Sequence, residues 1–108
     1  MSNEKFQNLL PIKTVVDGMT QGILAGSIAA NTTAQKIPAS PLADRKSIMI
    51  KNSSGVTAYI GGSTVTSAGS NGYPINNGET FAFDFSNEVE PYIVLSSGTG
   101  TIYYLQGG

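Results

Sequence analysis

The sequence predicts an all-β fold, a small antiparallel β-sandwich or barrel with an N-terminal arm, and three observations carry the prediction. Apolar residues recur with a period of two in several short runs. Clusters of Asn, Ser and Gly separate those runs, as turn chemistry requires. No stretch shows the three-to-four spacing of a confident helix. Counting the runs gives roughly six to eight short strands, enough for two small sheets or one closed one. With 108 residues the chain makes one domain with one modest core. We divide it into an arm, 1–13, and a single β domain, 14–108.

The clearest pattern lies between Arg45 and Thr66. Ile48 and Ile50 alternate with Ser47, Met49 and Lys51, and Val56, Ala58 and Ile60 alternate with Thr57 and Tyr59. Asn52-Ser53-Ser54-Gly55 interrupts the two runs, and Gly61-Gly62 ends the second. This reads as a β-hairpin, with a glycine to supply the positive φ of a tight reversal.

The N-terminal arm carries Phe6, Leu9, Leu10 and Ile12. A short helix could open near Ser2, but Pro11 stops it, and a helix this short is not stable alone. Its apolar side chains need a surface: either the open end of the domain's own core or a neighbouring subunit. Thr14-Val15-Val16 is a short extended piece and Asp17-Gly18 a turn signal. Ile23 to Ile28 is read as a strand bracketed by Gly22 and Gly26, against a helix running from Met19 to Ala30 that Gly26 and Asn31-Thr32-Thr33 weaken. Thr33, Gln35 and Ile37 then lead into Pro38-Ala39-Ser40-Pro41, an extended or turning connection.

Beyond the predicted hairpin, Ser63 to Asn77 is polar, and Asn-Gly pairs at 71–72 and 77–78 are its strongest turn signals. Tyr73 to Ile75 can be only a short edge segment. Thr80 to Ser86 is a strand with Phe81, Phe83 and Phe85 on its core face and Ala82, Asp84 and Ser86 on the other. Pro91 to Ser97 and Thr99 to Gln106 read as a second hairpin about Ser97-Gly98-Thr99-Gly100, and both of its faces are apolar. Strands of that kind are covered on both sides. In so small a domain the second cover would be the arm or another subunit. Tyr103 and Leu105 fall on that second face, and we count them with Phe6, Leu9, Leu10 and Ile12 as candidate partner-binding residues.

Composition narrows the chemistry. Charged residues are 12% of the chain and the formal net charge is -1, against a usual charged share of about 25%. Six scattered Lys and Arg do not make the basic cluster that phosphate recognition needs, so no nucleic-acid partner is expected. There is no cysteine and no histidine, which excludes disulfides, thiolate zinc sites, Cys nucleophiles and Ser-His triads. The first residues lack the basic start of a signal peptide and no apolar run approaches a membrane span, so synthesis and folding in a cytoplasm, with no membrane partner, are expected.

Candidate acids are Asp17, Asp44, Glu79, Asp84, Glu88 and Glu90. Glu88 and Glu90 could share a face, but a carboxylate pair needs a cleft to become a hydrolytic site. No calcium-loop or phosphate-loop motif is present, and Gly98-Thr99-Gly100 sits in a turn without the helix a dinucleotide site requires. We therefore expect no enzyme, no cofactor and no metal.

From about Ile37 to Leu105 the chain resembles a small β-sandwich module of tailed-bacteriophage virions, found in head-decoration, head-fibre and tail-associated proteins. The residues that carry the resemblance are Pro38 to Leu42, Arg45 to Asn52, Tyr59 to Thr66, Gly72-Tyr73-Pro74-Ile75 with Gly78-Glu79, and Tyr92 to Gly98 followed by a final strand. The resemblance implies a non-enzymatic structural protein of the virion, of capsid-decoration or head-fibre type. It also implies docking on the major capsid protein or other virion subunits, and a homo-oligomer, with a trimer favoured. The alternative is a carbohydrate-binding or tail/baseplate adhesion module, in which exposed Tyr73 and Tyr59 would stack on sugar rings. The absence of tryptophan ranks it second.

Overall fold

The structure, a computed structural model, describes residues 22–108. The arm residues Phe6, Leu9, Leu10 and Ile12, and the extended piece and turn at 14–18, lie outside the described residues. Eight strands follow one another: β1 (Ile23–Ala30), β2 (Gln35–Lys36), β3 (Ser47–Ser53), β4 (Ala58–Gly61), β5 (Gly72–Ile75), β6 (Thr80–Phe83), β7 (Tyr92–Leu95) and β8 (Gly100–Gly107). Among the described residues there is no helix. The strand expected at Ile23 to Ile28 is therefore present and runs on to Ala30.

The strands form two antiparallel four-stranded sheets, a front sheet in the order β1-β8-β3-β6 and a back sheet in the order β2-β7-β4-β5. The fold is a β-sandwich, and the strand order is that of a jelly roll. Its logic is a single ribbon in which β1, β2, β3 and β4 pair with β8, β7, β6 and β5. Rolling that ribbon adds the β3–β8 and β4–β7 pairs.

This topology corrects both predicted hairpins. β3 and β4 do not pair, because β6 and β8 occupy the two edges of β3 while β5 and β7 occupy those of β4. β7 and β8 are likewise in different sheets. The segments between them are arches that carry the chain from one layer to the other. Among the described residues the only sequence-adjacent strands that pair are β4 and β5, so the hairpin connection there is the polar segment 62–71.

Alternation nevertheless assigned the core faces of β3, β4 and β6 correctly, and the structure chooses between the two apolar faces of β7. Ile48, Ile50, Ala58, Ile60, Ile93, Leu95 and Ile102 are buried in one cluster between the sheets, with Ile37 and Ile75. Isoleucine suits this interior, since its stiff χ1 loses little freedom on a pleated, packed surface. The phenylalanine stripe packs against the same cluster, with Phe81 on Phe83 at 6.4 Å and Phe83 on Phe85 at 5.0 Å between ring centroids. β6 ends at Phe83 rather than the expected Ser86. Beyond it the carbonyls of Phe85 and Ser86 turn to the guanidinium of Arg45 instead of a neighbouring strand.

Segment 62–71 folds back on the outer face of the back sheet. Val65 is buried against Gly61 and Gly72, and the Tyr59 ring lies against Gly69. Val94, directly opposite Tyr59 in the β4–β7 ladder, is fully buried. β7 is thus covered on both faces, as its sequence demands.

In the front sheet, Gly26 faces Tyr104 across the β1–β8 ladder, and the tyrosine ring occupies the space of the missing side chain. A Cβ on Gly26 would lie 2.5 Å from the Tyr104 hydroxyl oxygen and 2.7 Å from Cζ. Gly26→Ala is therefore expected to lower stability by about 1–3 kcal/mol through overpacking. Urea unfolding of the variant checks this, and an unchanged midpoint would mean the ring is not seated on Gly26.

Candidate functional site

Pleating sends every second residue of the front sheet away from the core. On β8 these outward residues include Tyr103 and Leu105, which are 51% and 38% exposed. Register then determines their neighbours. Leu105 lies between Ala25 of β1 and Met49 of β3, and Met49 lies opposite Ala82 of β6. Ala25, Leu105, Met49 and Ala82 thus form an unbroken apolar row across all four strands, and every member is exposed.

The next row reads Ser27, Tyr103, Lys51 and Thr80, so one ammonium and one phenol border the apolar row. On the other side Ile23, 65% exposed, extends it. Shallow hollows of 170 and 130 Å³ flank Met49 and Leu105 and give the face relief. Four strands at about 4.8 Å spacing make a surface about 19 Å wide. Scattered exposed apolar residues are ordinary; here they are contiguous across the sheet, which makes this face the candidate for a contact surface.

Of the sequence-predicted partner-binding residues, Tyr103 and Leu105 come together on this face, while Phe6, Leu9, Leu10 and Ile12 lie outside the described residues. Ile23, Ala25, Met49 and Ala82 were not anticipated. Their signal was present: Met49 and Ala82 are apolar residues in the outward sets of their strands, where polar ones are expected.

A second concavity, of 450 Å³, opens between β6 and the β4–β5 pair. Ile60, Tyr73, Phe83, Phe85, Val89 and Pro91 line most of it, and Glu90 is its one ionisable contributor apart from tyrosine. Tyr73, 54% exposed, meets Phe81 edge-on at 5.5 Å and so bridges the sheets at the open edge. Tyr59, the other tyrosine considered for sugar stacking, is packed under segment 62–71 and is not available for it.

Two of the carboxylates have structural duties. Glu79 accepts a hydrogen bond from the Asn76 amide at 2.8 Å, and Glu90 pairs with Lys36 at 3.5 Å. Among the described residues no group of three or more Asp and Glu is placed to hold a metal ion. The largest buried polar group, Arg45, is 2% exposed and spends its donors on carbonyl and amide oxygens. Burial pushes its pKa down from the ordinary arginine value by desolvation. No protein family, curated protein or solved structure matches the chain.

Proposed function

We propose that the chain is a non-enzymatic structural protein of a tailed-bacteriophage virion that coats or joins the particle by docking the outer face of its front sheet on other virion subunits. The observation that carries this reading is the exposed apolar row Ala25, Leu105, Met49 and Ala82 with Tyr103 beside it. Such a face suits a protein partner, since it supplies apolar contact area with an aromatic and a cation at the rim. The resemblance described above supplies the virion context. Jelly rolls serve in viral capsid and lectin domains alike, so the architecture itself does not separate docking from sugar binding.

Leu105→Asp combined with Tyr103→Ser tests the reading. Both residues are exposed, so the variant is expected to fold with near-normal stability. Loss of about 2 kcal/mol at the centre of the contact weakens binding about 30-fold. Co-sedimentation with purified phage particles is then expected to fall to a small fraction of the wild-type level. Undiminished co-sedimentation would remove this face from the proposal. The second reading, sugar binding, rests on Tyr73 at the mouth of the apolar groove. Retention on a glycan array that Tyr73→Ala abolishes and Leu105→Asp leaves intact would favour it.

A further inference from the structure

The two sheets have four outer strands, and three carry protection against pairing with another chain. β5 has Pro74, which cannot donate to a ladder, as the third of its four residues. β2 is two residues long, ends in Lys36 and is followed by Pro38. β6 is four residues long and runs directly into Asp84. Short edges, charges and prolines are the usual means of preventing sheet extension.

β1 has none of them. It is eight residues, ILAGSIAA, paired with β8 in continuous register without a bulge. No charged residue and no proline occurs anywhere from Gly18 to Gln35. Gly22 and Gly108 exchange both backbone hydrogen bonds, at 3.2 and 3.1 Å. Antiparallel ladders alternate, so Leu24, Gly26, Ile28 and Ala30 bond to β8, while Ile23, Ala25, Ser27 and Ala29 aim their N–H and C=O groups at the outer edge, where no described strand pairs. Leu24, whose side chain is on the core side, is 42% exposed there.

We propose that this edge is an interface between two copies of the chain, β1 pairing antiparallel with β1 of a second copy about a two-fold axis at Gly26. That register joins Ile23 to Ala29 and Ala25 to Ser27 of the other copy, and the reverse. All four outward-facing backbone pairs are thereby satisfied. It keeps both cores on one side of the joined sheet and sets Leu24 beside Ile28 of the other copy, which covers the exposed leucine. An uncharged strand can face itself without the like-charge repulsion that a charged edge would meet. The union makes a continuous eight-stranded front sheet about 38 Å wide, doubling the apolar face. An isologous pairing of this kind closes at two copies, in place of the trimer implied by the resemblance.

Light scattering on the full chain at a series of concentrations tests the proposal. The expected mass is twice the 11.2 kDa chain, falling to one chain in Ser27→Pro, whose lost N–H belongs to the outer edge and not to the β8 ladder. Because proline could also disturb folding, a cysteine pair gives an independent reading in a chain that has no other cysteine. Ala25→Cys with Ser27→Cys places the thiols opposite one another across the axis, at a Cα separation of about 5.5 Å that a disulfide spans. Oxidation is expected to give a covalent dimer on a non-reducing gel from the double variant and not from either single one. A wild-type mass of one chain throughout, as when residues 1–21 occupy the edge, overturns the proposal. So does a trimer, a Ser27→Pro mass equal to wild type, or equal cross-linking by the single variants.

Discussion

Arg45→Ala is expected to cost about 3–5 kcal/mol, the largest loss from any single substitution outside the apolar core. Arg45 Nε donates to the Phe85 carbonyl at 3.0 Å, and Nη2 donates to the carbonyls of Ser86 and Val89, both at 2.7 Å. Nη1 donates to Gln106 Oε1 at 3.1 Å, and that oxygen also accepts from the Leu42 amide at 2.9 Å. One guanidinium therefore ties the approach to β3, the β6–β7 connection and the end of β8. Three of its acceptors are backbone carbonyls, so no companion mutation can remove them, and truncation strips all three part-buried carbonyls of this partner at once. Lysine would not rescue the position, because a single ammonium cannot reproduce the planar fork that spans these acceptors. Against a total stability of about 5–15 kcal/mol for a domain of this kind, the loss is severe. In urea it would lower the midpoint by about 2 M, taking a slope of about 2 kcal/mol per molar. A shift below about 0.5 M, on the same slope, would show that water replaces the guanidinium without penalty and that the clamp is dispensable.

The second large effect is expected at Asn52, which closes the arch from β3 to β4. Its Nδ2 donates to the carbonyls of Val56 and Ile75 at 2.7 and 2.8 Å, and its Oδ1 accepts from Ser54 N and Oγ at 2.9 and 2.6 Å. The fully buried amide is thereby satisfied at every position it offers. Asn52→Ala is expected to cost about 2–4 kcal/mol, from two abandoned carbonyls and a small cavity. Asn52→Asp separates shape from polarity, since it keeps the size but turns an acceptor toward the Val56 and Ile75 carbonyls. Desolvation and those carbonyls would raise the folded-state pKa of the new carboxyl above its unfolded value. The folded state then holds the proton more tightly, and stability is lost as pH rises through the interval between the two values. The deficit of Asn52→Asp relative to wild type is expected to be largest at neutral pH and to shrink in mildly acidic solution. A pH-independent deficit in parallel urea titrations would refute the assigned donor geometry.

Two residues of the candidate face, Tyr103 and Leu105, were legible before the fold was known, and the rest were not for a definable reason. Tyr103 and Leu105 were identifiable because β8 is apolar on both faces, which a one-sided strand is not. Met49 and Ala82 looked like isolated exceptions within their own strands. They become a surface only when register aligns them with Leu105 and Ala25, and register between β1, β3, β6 and β8 joins residues far apart in the chain. Arg45 and Asn52 could be read as a strand entry and a turn. Nothing local to them reveals acceptors as distant as Val89 or Ile75.

Alternating apolar residues and Gly/Asn turn signals pointed, without further help, to an all-β fold, to the approximate place of most strands and to the core faces of β3, β4 and β6. These are properties of a single strand, set by pleating and backbone sterics. Tertiary structure alone decided which strands pair. Ile48 and Ile60 are buried equally well whether β3 and β4 lie side by side or face each other across a sandwich, so periodicity cannot distinguish a hairpin from an arch. Competition for sheet edges distinguishes them: β8 and β6 take those of β3, β7 and β5 take those of β4, and the rolled ribbon leaves the unprotected length of β1 on the outside.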